Sequence, residues 1–193
     1  MPHMSAPVIG KLSYKEVFLR VIFTFCLFIF SFGSHAFEFG GGKIEIPFAF
    51  EGPVTANPAP GVEVFGFTKN HFVGGKSALL QISKFSPPGG IPELDEEERA
   101  RYSKQYLLQF LSGIERQRSN FEKTQVEMIT ISGVPTAKIN WKGVANGESL
   151  HGVMYCFIHS GSILSFHTQD FTSFDSEFID LAVTSIESLE LER

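Results

Sequence analysis

The stretch that most restricts how this chain can fold is His151 to His159, because it is apolar on both sides. Val153, Tyr155 and Phe157 alternate there with Met154, Cys156 and Ile158. An ordinary half-buried strand alternates apolar with polar residues, so a strand apolar on both faces needs cover on both. Its neighbours place it in a run of four antiparallel strands between Val126 and Asp170. Val126 to Ser132 alternates, Gly133-Val134-Pro135 interrupts, and Thr136 to Ala145 resumes before Asn146-Gly147. Asn-Gly between two such runs signals a type I′ hairpin, whose central residues both need φ > 0. With Asn146 and Gly147 as the loop, Ala145 faces Glu148, Trp141 faces Gly152, Ile139 faces Met154 and Ala137 faces Cys156. Ser160-Gly161 then turns the chain into Ile163 to Gln169.

Around this meander the sequence predicts further elements. Lys43 to Pro47 reads as an edge-like strand, and Val62 to Thr68 and Ser77 to Phe85 as two more. Phe37 to Gly42 reads as a Gly-rich lead-in, and Phe48 to Gly61, with Pro53, Pro58 and Pro60, as a surface loop. After the breaker Ser86 to Pro92, a long helix is expected from Glu93 to about Gln117. Tyr102, Tyr106 and Phe110 form one row of its apolar stripe, and Leu107, Leu111 and Ile114 the adjoining row. Its acidic start (Glu93 to Glu98) and basic end (Arg116, Arg118) complement the helix dipole, a simpler account of the acids than a docking patch for a cation. A second helix is expected from about Phe174 to Leu189, with Thr172 and Asp175 as a capping pair and Phe174, Phe178, Leu181, Ser185, Ile186 and Leu189 on one face. The class expected is α+β: an antiparallel sheet of about six to seven strands covered by helices on both faces, an α/β/α sandwich.

The first residues carry an address. Lys11, Lys15 and Arg20 precede the apolar run Val21 to Phe32, and Ser34-His35-Ala36 supplies small residues for cleavage, so residues 1–36 read as a signal peptide. Twelve residues after Arg20 rise about 18 Å as a helix, short of a bilayer core of ~30 Å. That argues against a retained anchor. Residues 37–193 then form a single domain, periplasmic or secreted. Of the two cysteines only Cys156 remains in it, so no internal disulfide is possible, and its mid-strand apolar setting predicts a buried, inert thiol. Phe23-Thr24-Phe25 is too bulky for lipoprotein processing at Cys26. The leader holds three bases and Glu16, and the remaining 13 basic and 20 acidic residues give a net charge of −7. Such a balance argues against nucleic acid or an anionic membrane surface as partner.

No catalytic constellation stands out. Asn70 to Ser77 (NHFVGGKS) resembles the end of a phosphate loop, but Asn70 replaces the first glycine and Ser77 opens a strand, so a Gly-Gly turn is the better account. His151, His159 and His167 are spaced by eight. A two-residue loop at Ser160-Gly161 puts His151 and His167 on opposite faces and removes any shared metal site. A three-residue loop, His159-Ser160-Gly161, brings them diagonal, with Asp170 near. No serine sits on a nucleophile elbow, and no cofactor is expected. Fifteen phenylalanines lie beyond the leader, more than patterning needs, and Phe65, Phe67 and Phe72 are candidates for lining an apolar groove.

Ile44-Glu45-Ile46-Pro47-Phe48, the turn Ile131 to Lys138 (ISGVPTAK) and Phe174 to Leu189 ending in Ser185-Ile186-Glu187-Ser188-Leu189 resemble the PsbP-like fold. That fold is an antiparallel sheet between helices, found in photosystem extrinsic proteins, a Ran-binding nuclear import factor and many small exported bacterial proteins. The resemblance spans most of residues 43–190 and rests on structural positions, so it assigns no functional residue. Members that serve as binding modules or assembly factors imply a non-enzymatic role, and the first expectation is an exported adaptor that recognises another protein, such as a periplasmic assembly or immunity factor. Related bacterial chaperones of type VI secretion effectors are cytoplasmic, and this chain departs from them by its leader. A small apolar-ligand carrier is the alternative, and a metal-dependent enzyme comes third.

Overall fold

The structure, a computed structural model, describes residues 35–192. The expected signal peptide, up to Ser34, lies outside the described residues. In chain order the elements are β1 (His35–Glu38), β2 (Gly42–Ile46), β3 (Glu51–Ala59), β4 (Val62–Asn70), β5 (Ser77–Phe85), α1 (Glu96–Glu115), β6 (Ser119–Lys123), β7 (Glu127–Ile131), β8 (Val134–Ala145), β9 (Glu148–His159), β10 (Ser162–Phe171), α2 (Glu177–Glu187) and β11 (Glu190–Leu191). The class is α+β, a mostly antiparallel architecture with two helices.

Three tight turns set the meander β7-β8-β9-β10. Ser132-Gly133, Asn146-Gly147 and Ser160-Gly161 all have φ between 47° and 79°, the double positive φ that lets a two-residue hairpin follow the twist of its strands. Each fixes a register: Ile131 opposite Val134, Ala145 opposite Glu148, His159 opposite Ser162. The pairs Trp141–Gly152, Ile139–Met154 and Ala137–Cys156 follow as the Asn-Gly turn predicts. Val134 and Pro135, which looked like a break, already belong to β8.

The sheet has eight strands, ordered β3-β4-β5-β10-β9-β8-β6, with β7 sharing the outer edge of β8, and a separate three-stranded sheet runs β1-β2-β11. This exceeds the six to seven strands expected, for identifiable reasons. The supposed loop around Pro53 and Pro58 is the edge strand β3. Its two register shifts, between Glu51 and Val54 and between Ala56 and Ala59, contain those prolines, so neither has to donate to the ladder. Every β3 residue is exposed, so there was no alternation to read. The lead-in forms β1, and β2 is the central strand of its sheet, with Ile44 and Ile46 fully buried, instead of an edge.

Strand β9 divides the core by parity. Val153, Tyr155 and Phe157 join Leu164, Phe166, Leu80 and Ile82, the β2 isoleucines, and Ile179, Ala182 and Ile186 of α2. Met154, Cys156 and Ile158 join Ala137, Ile139, Trp141 and Ile163, and Leu107 and Leu111 of α1. Full burial of each such side chain stabilises the fold by roughly 1.5–3 kcal/mol. The small sheet adds Phe39, edge-on to Phe166 at 5.7 Å, and α2 is tied to β2 by Ser185 Oγ donating to the Glu45 carbonyl.

Helix α1 begins later than expected. Asp95 accepts from the Glu98 N–H at 2.8 Å while the Glu98 carboxylate reaches back to the Asp95 N–H, a reciprocal capping box. Its stripe is as read, with Leu107 and Leu111 buried between half-buried Tyr106 and Phe110. Its contacts go to β8 and β9 and only marginally to β10. For α2 the cap is Ser176, not the Thr172/Asp175 pair, with Ser176 Oγ on the Asp180 carboxylate at 2.9 Å. Leu181, placed on the apolar face by periodicity, is 39% exposed.

Gly152 shows how tightly the sheet centre is built. A Cβ there would lie 2.4 Å from the Thr168 carbonyl and 2.7 Å from the Trp141 ring, so only glycine lets that indole lie across β9. Gly152→Ala is expected to lower stability by about 1–3 kcal/mol in urea unfolding. An unchanged midpoint would mean that Trp141 does not lie there.

Candidate functional site

The register at Ser160-Gly161 decides the histidine question. His167 faces Met154 and Asp170 faces His151, so His151 and His167 project from opposite faces of the sheet and share no ligand. His159 is spent on a backbone contact, its Nε2 2.7 Å from the Glu192 carbonyl oxygen. The histidine that does meet Asp170 is His71, 99 residues away, whose Nε2 lies 2.7 Å from Asp170 Oδ1. Both side chains are buried, and the His71 ring stacks on Phe174 at 3.8 Å. Asp170 Oδ1 also accepts from the Phe171 N–H at 2.8 Å. The pair holds the β4–β5 loop against the end of β10. That loop is a turn with Gly74 and Gly75 at positive φ, and it leads into a strand, as the glycine-turn reading requires.

Because α1 lies over β8 and β9, it leaves the same face of β5, β4 and β3 without a helix. A cavity of about 600 Å³ opens along that margin. Its floor follows from register. One row of side chains crosses the sheet as Val54, Gly66, Gln81, His167, Met154 and Ile139, and the next as Ala56, Val64, Ser83, Ser165, Cys156 and Ala137. Ser83 and Ser165 at the middle of the second row leave room that larger side chains would fill. Phe110, Gly113 and Ile114 of α1 form one wall, and Val62, Phe85 and Ile163 close one end. Arg118, His167 and Gln169 stand toward the other.

Arg118 ties that end together. Its Nη1 donates to the Ile114 carbonyl at 3.1 Å, capping the helix, and its Nη2 to Gln169 Oε1 at 2.6 Å. The guanidinium carbon sits 4.6 Å from the Trp141 ring centre. A second cavity, about 520 Å³, lies on the α2 side among Lys138, Asn140, Lys142, His151 and Asp180. Two of its lysines are paired, Lys138 with Glu187 at 2.7 Å and Lys123 with Glu115 at 3.0 Å.

Phe65, Phe67 and Phe72 are not brought into one groove. Phe67 has no exposed surface, and Phe37 of β1 lies edge-on at 5.1 Å from both the Phe65 and Phe67 rings. Phe72 is 85% exposed on the β4–β5 loop. Phe37 covers the other two because the small sheet folds over them, a contact no local pattern announces. Cys156 is buried, as read, and burial pushes its thiol up, which keeps it protonated and unreactive.

No protein-family model matches the chain, and no curated protein matches it by sequence. Solved structures do match. Cyanobacterial PsbP (CyanoP) from Synechocystis superposes with a TM-score of 0.56 at 12% identity, over 82% of this chain and 92% of that one. The fold is PsbP-like. A protein of unknown function from Pseudomonas aeruginosa aligns at 16% identity over 83% of this chain and 97% of its own, with a TM-score of 0.47. LpqN, involved in cell envelope biogenesis of Mycobacterium tuberculosis, aligns at 12% over 72% and 84%, with a TM-score of 0.45. At these identities the likeness concerns the fold alone.

Within this PsbP-like sheet the trench carries an unusual imidazole. Burial, and after it the nearby Arg118 charge, pushes His167 down to about 3, whereas in the unfolded chain it titrates near its ordinary ~6.5. Between those values the unfolded state binds more protons. The contribution of the neutral ring is therefore complete above about pH 6.5 and lost as pH falls toward about 3, at up to roughly 1.4 kcal/mol per pH unit. His167→Gln cannot titrate and is expected to flatten that part of the stability profile, followed by urea unfolding between about pH 7 and pH 4. A variant profile parallel to the wild type would show that the imidazole is not buried neutral.

Proposed function

We propose that the chain is an exported, non-enzymatic binding module that recognises another protein, of the periplasmic assembly or immunity type. The observation that carries this reading is the unequal cover of the sheet. One core cluster draws on α2 and the small sheet β1-β2-β11, whereas α1 contacts β8 and β9 and leaves β3 to β5 bare on its side, with Val54 75% exposed. The finer architecture, an α/β/α sandwich with one helix over each face, is supported by the parity of β9. Recognition by the sheet face is favoured over strand addition, because Pro53 and Pro58 interrupt the β3 edge.

Side chains with catalytic potential are engaged structurally, which supports a binding role: His71 with Asp170, Tyr155 with Glu187 at 2.9 Å, and Cys156 in the core. Export is supported by the leader pattern of residues 1–36. Cleavage after Ala36 leaves Phe37, the one β1 side chain that is not exposed, as the new first residue. A second reading, a carrier of a small apolar ligand, is favoured by the trench beneath α1, whose volume and mixture of apolar walls and a few polar groups suit such a ligand.

The test is native mass spectrometry of the protein made from its full-length chain and recovered from the periplasm of the exporting cell. The expected result is residues 37–193 bound to one defined second polypeptide, which Val54→Asp releases. A bare monomer, or retention in the cytoplasm, would contradict the proposal.

A further inference from the structure

The trench is apolar along its walls yet carries, at one end, a cation with no counter-charge. Of the two cations that line it, Lys84 is turned away, its Nζ donating to the Gly40 carbonyl at 2.5 Å and lying 3.8 Å from Glu63. Arg118 has no carboxylate partner among the described residues. Its polar contacts are neutral, a helix carbonyl and the Gln169 amide, and its Nε–H is buried without a partner. Burying a guanidinium against only neutral groups is costly, and a ligand anion removes that cost by a charge-assisted hydrogen bond.

A second group converges on the same end. His167 lines the trench with 7% of its surface exposed, and its Nε2 has no hydrogen-bond partner. Because the ring is neutral, its Nε2–H tautomer is a donor that adds no charge of its own. From Ile163 to Gln169 the floor runs six residues along β10, about 20 Å at ~3.3 Å per residue. The trench is therefore long and narrow, apolar at the Val62, Phe85 and Ile163 end and donor-rich at the Arg118 end.

We propose that this trench binds a linear aliphatic carboxylate, its chain along β5 and β10 beneath Phe110 and Ile114 and its carboxylate on Arg118 Nε–H and His167 Nε2–H. The inference rests on reading the domain as a binding module, and specifically on its carrier form. Neutral amphiphiles of the same length fill the walls equally well but leave both donors unmatched. A cationic headgroup is repelled by Arg118.

The probes are dodecanoate and dodecanol, which share the apolar body, and the readout is the fluorescence of Trp141, the one tryptophan of the chain, which stacks under Arg118. Using the exported protein, dodecanoate is expected to bind about tenfold or more tightly than dodecanol, the value of a hydrogen bond to a charged group. Bromine beside the carboxylate should quench Trp141 more than bromine at the far methyl end. Arg118→Gln should abolish the preference while leaving dodecanol binding in place. Gly113→Leu fills the wall where a Cβ meets nothing within 4 Å, and should abolish binding of both without unfolding the protein. Equal affinity for the two probes, or an unchanged preference in Arg118→Gln, overturns the assignment of the anion. Chemical turnover of dodecanoate would overturn the binding-module reading itself, a result distinguishable by mass.

Discussion

The burial of β9 on both faces is the constraint on which the rest of this structure depends. Tyr155 and Phe157 on one side, and Met154 and Cys156 on the other, have almost no exposed surface. Each set requires its own layer. The two sets fall in separate buried clusters, one with side chains of β2 and α2 and the other with Leu107 and Leu111 of α1. A twenty-residue helix spans about 30 Å along its axis but only ~10 Å across it, whereas strands are spaced by ~4.8 Å. One helix therefore closes two or three strands and no more. That is why α1 contacts β8 and β9, reaches β10 only marginally, and leaves β3 to β5 without a helix.

Along that remainder the chain has polar groups that its own packing does not use. Small residues at Ser83 and Ser165 keep the trench open, Arg118 closes the helix end while holding an unmatched N–H, and burial disfavours a charge on His167 beside it. On the α2 side some buried polar groups serve connection, His71 meeting Asp170 and Ser132 Oγ in the β7–β8 turn donating to the Leu189 carbonyl, while His151 Nε2 and Thr168 Oγ1 stay unpartnered there too.

The meander was legible in the sequence because its information is local. Asn146-Gly147 demands a type I′ turn, the turn sets register, and register assigns each side chain to a face. The stripe on α1 was legible for the same reason, since a helix repeats its face every few residues. What could not be read depended on distant partners or on featureless exposure. Strand β3 has no buried side and places its prolines at irregularities. Phe37 closes over Phe65 and Phe67 from a strand that looked like a lead-in, so a groove drawn from those rings was in fact core. His71 finds Asp170 at a separation of 99 residues and Arg118 finds Gln169 at 51, and neither pairing follows any local spacing. The histidine triplet at eight-residue intervals was the conspicuous pattern, and register separated it.

The measurement that tests this account most directly is amide hydrogen exchange, residue by residue, on the domain in solution. If double-sided burial of β9 is the organising constraint, the amides of Val153 to Ile158 exchange only through global unfolding and are the slowest of the chain, with β10 next, while β3 exchanges through local opening. Slowest exchange in β4 and β5, with β9 opening earlier, would show that the fold rests on its α2 side alone and would contradict the account.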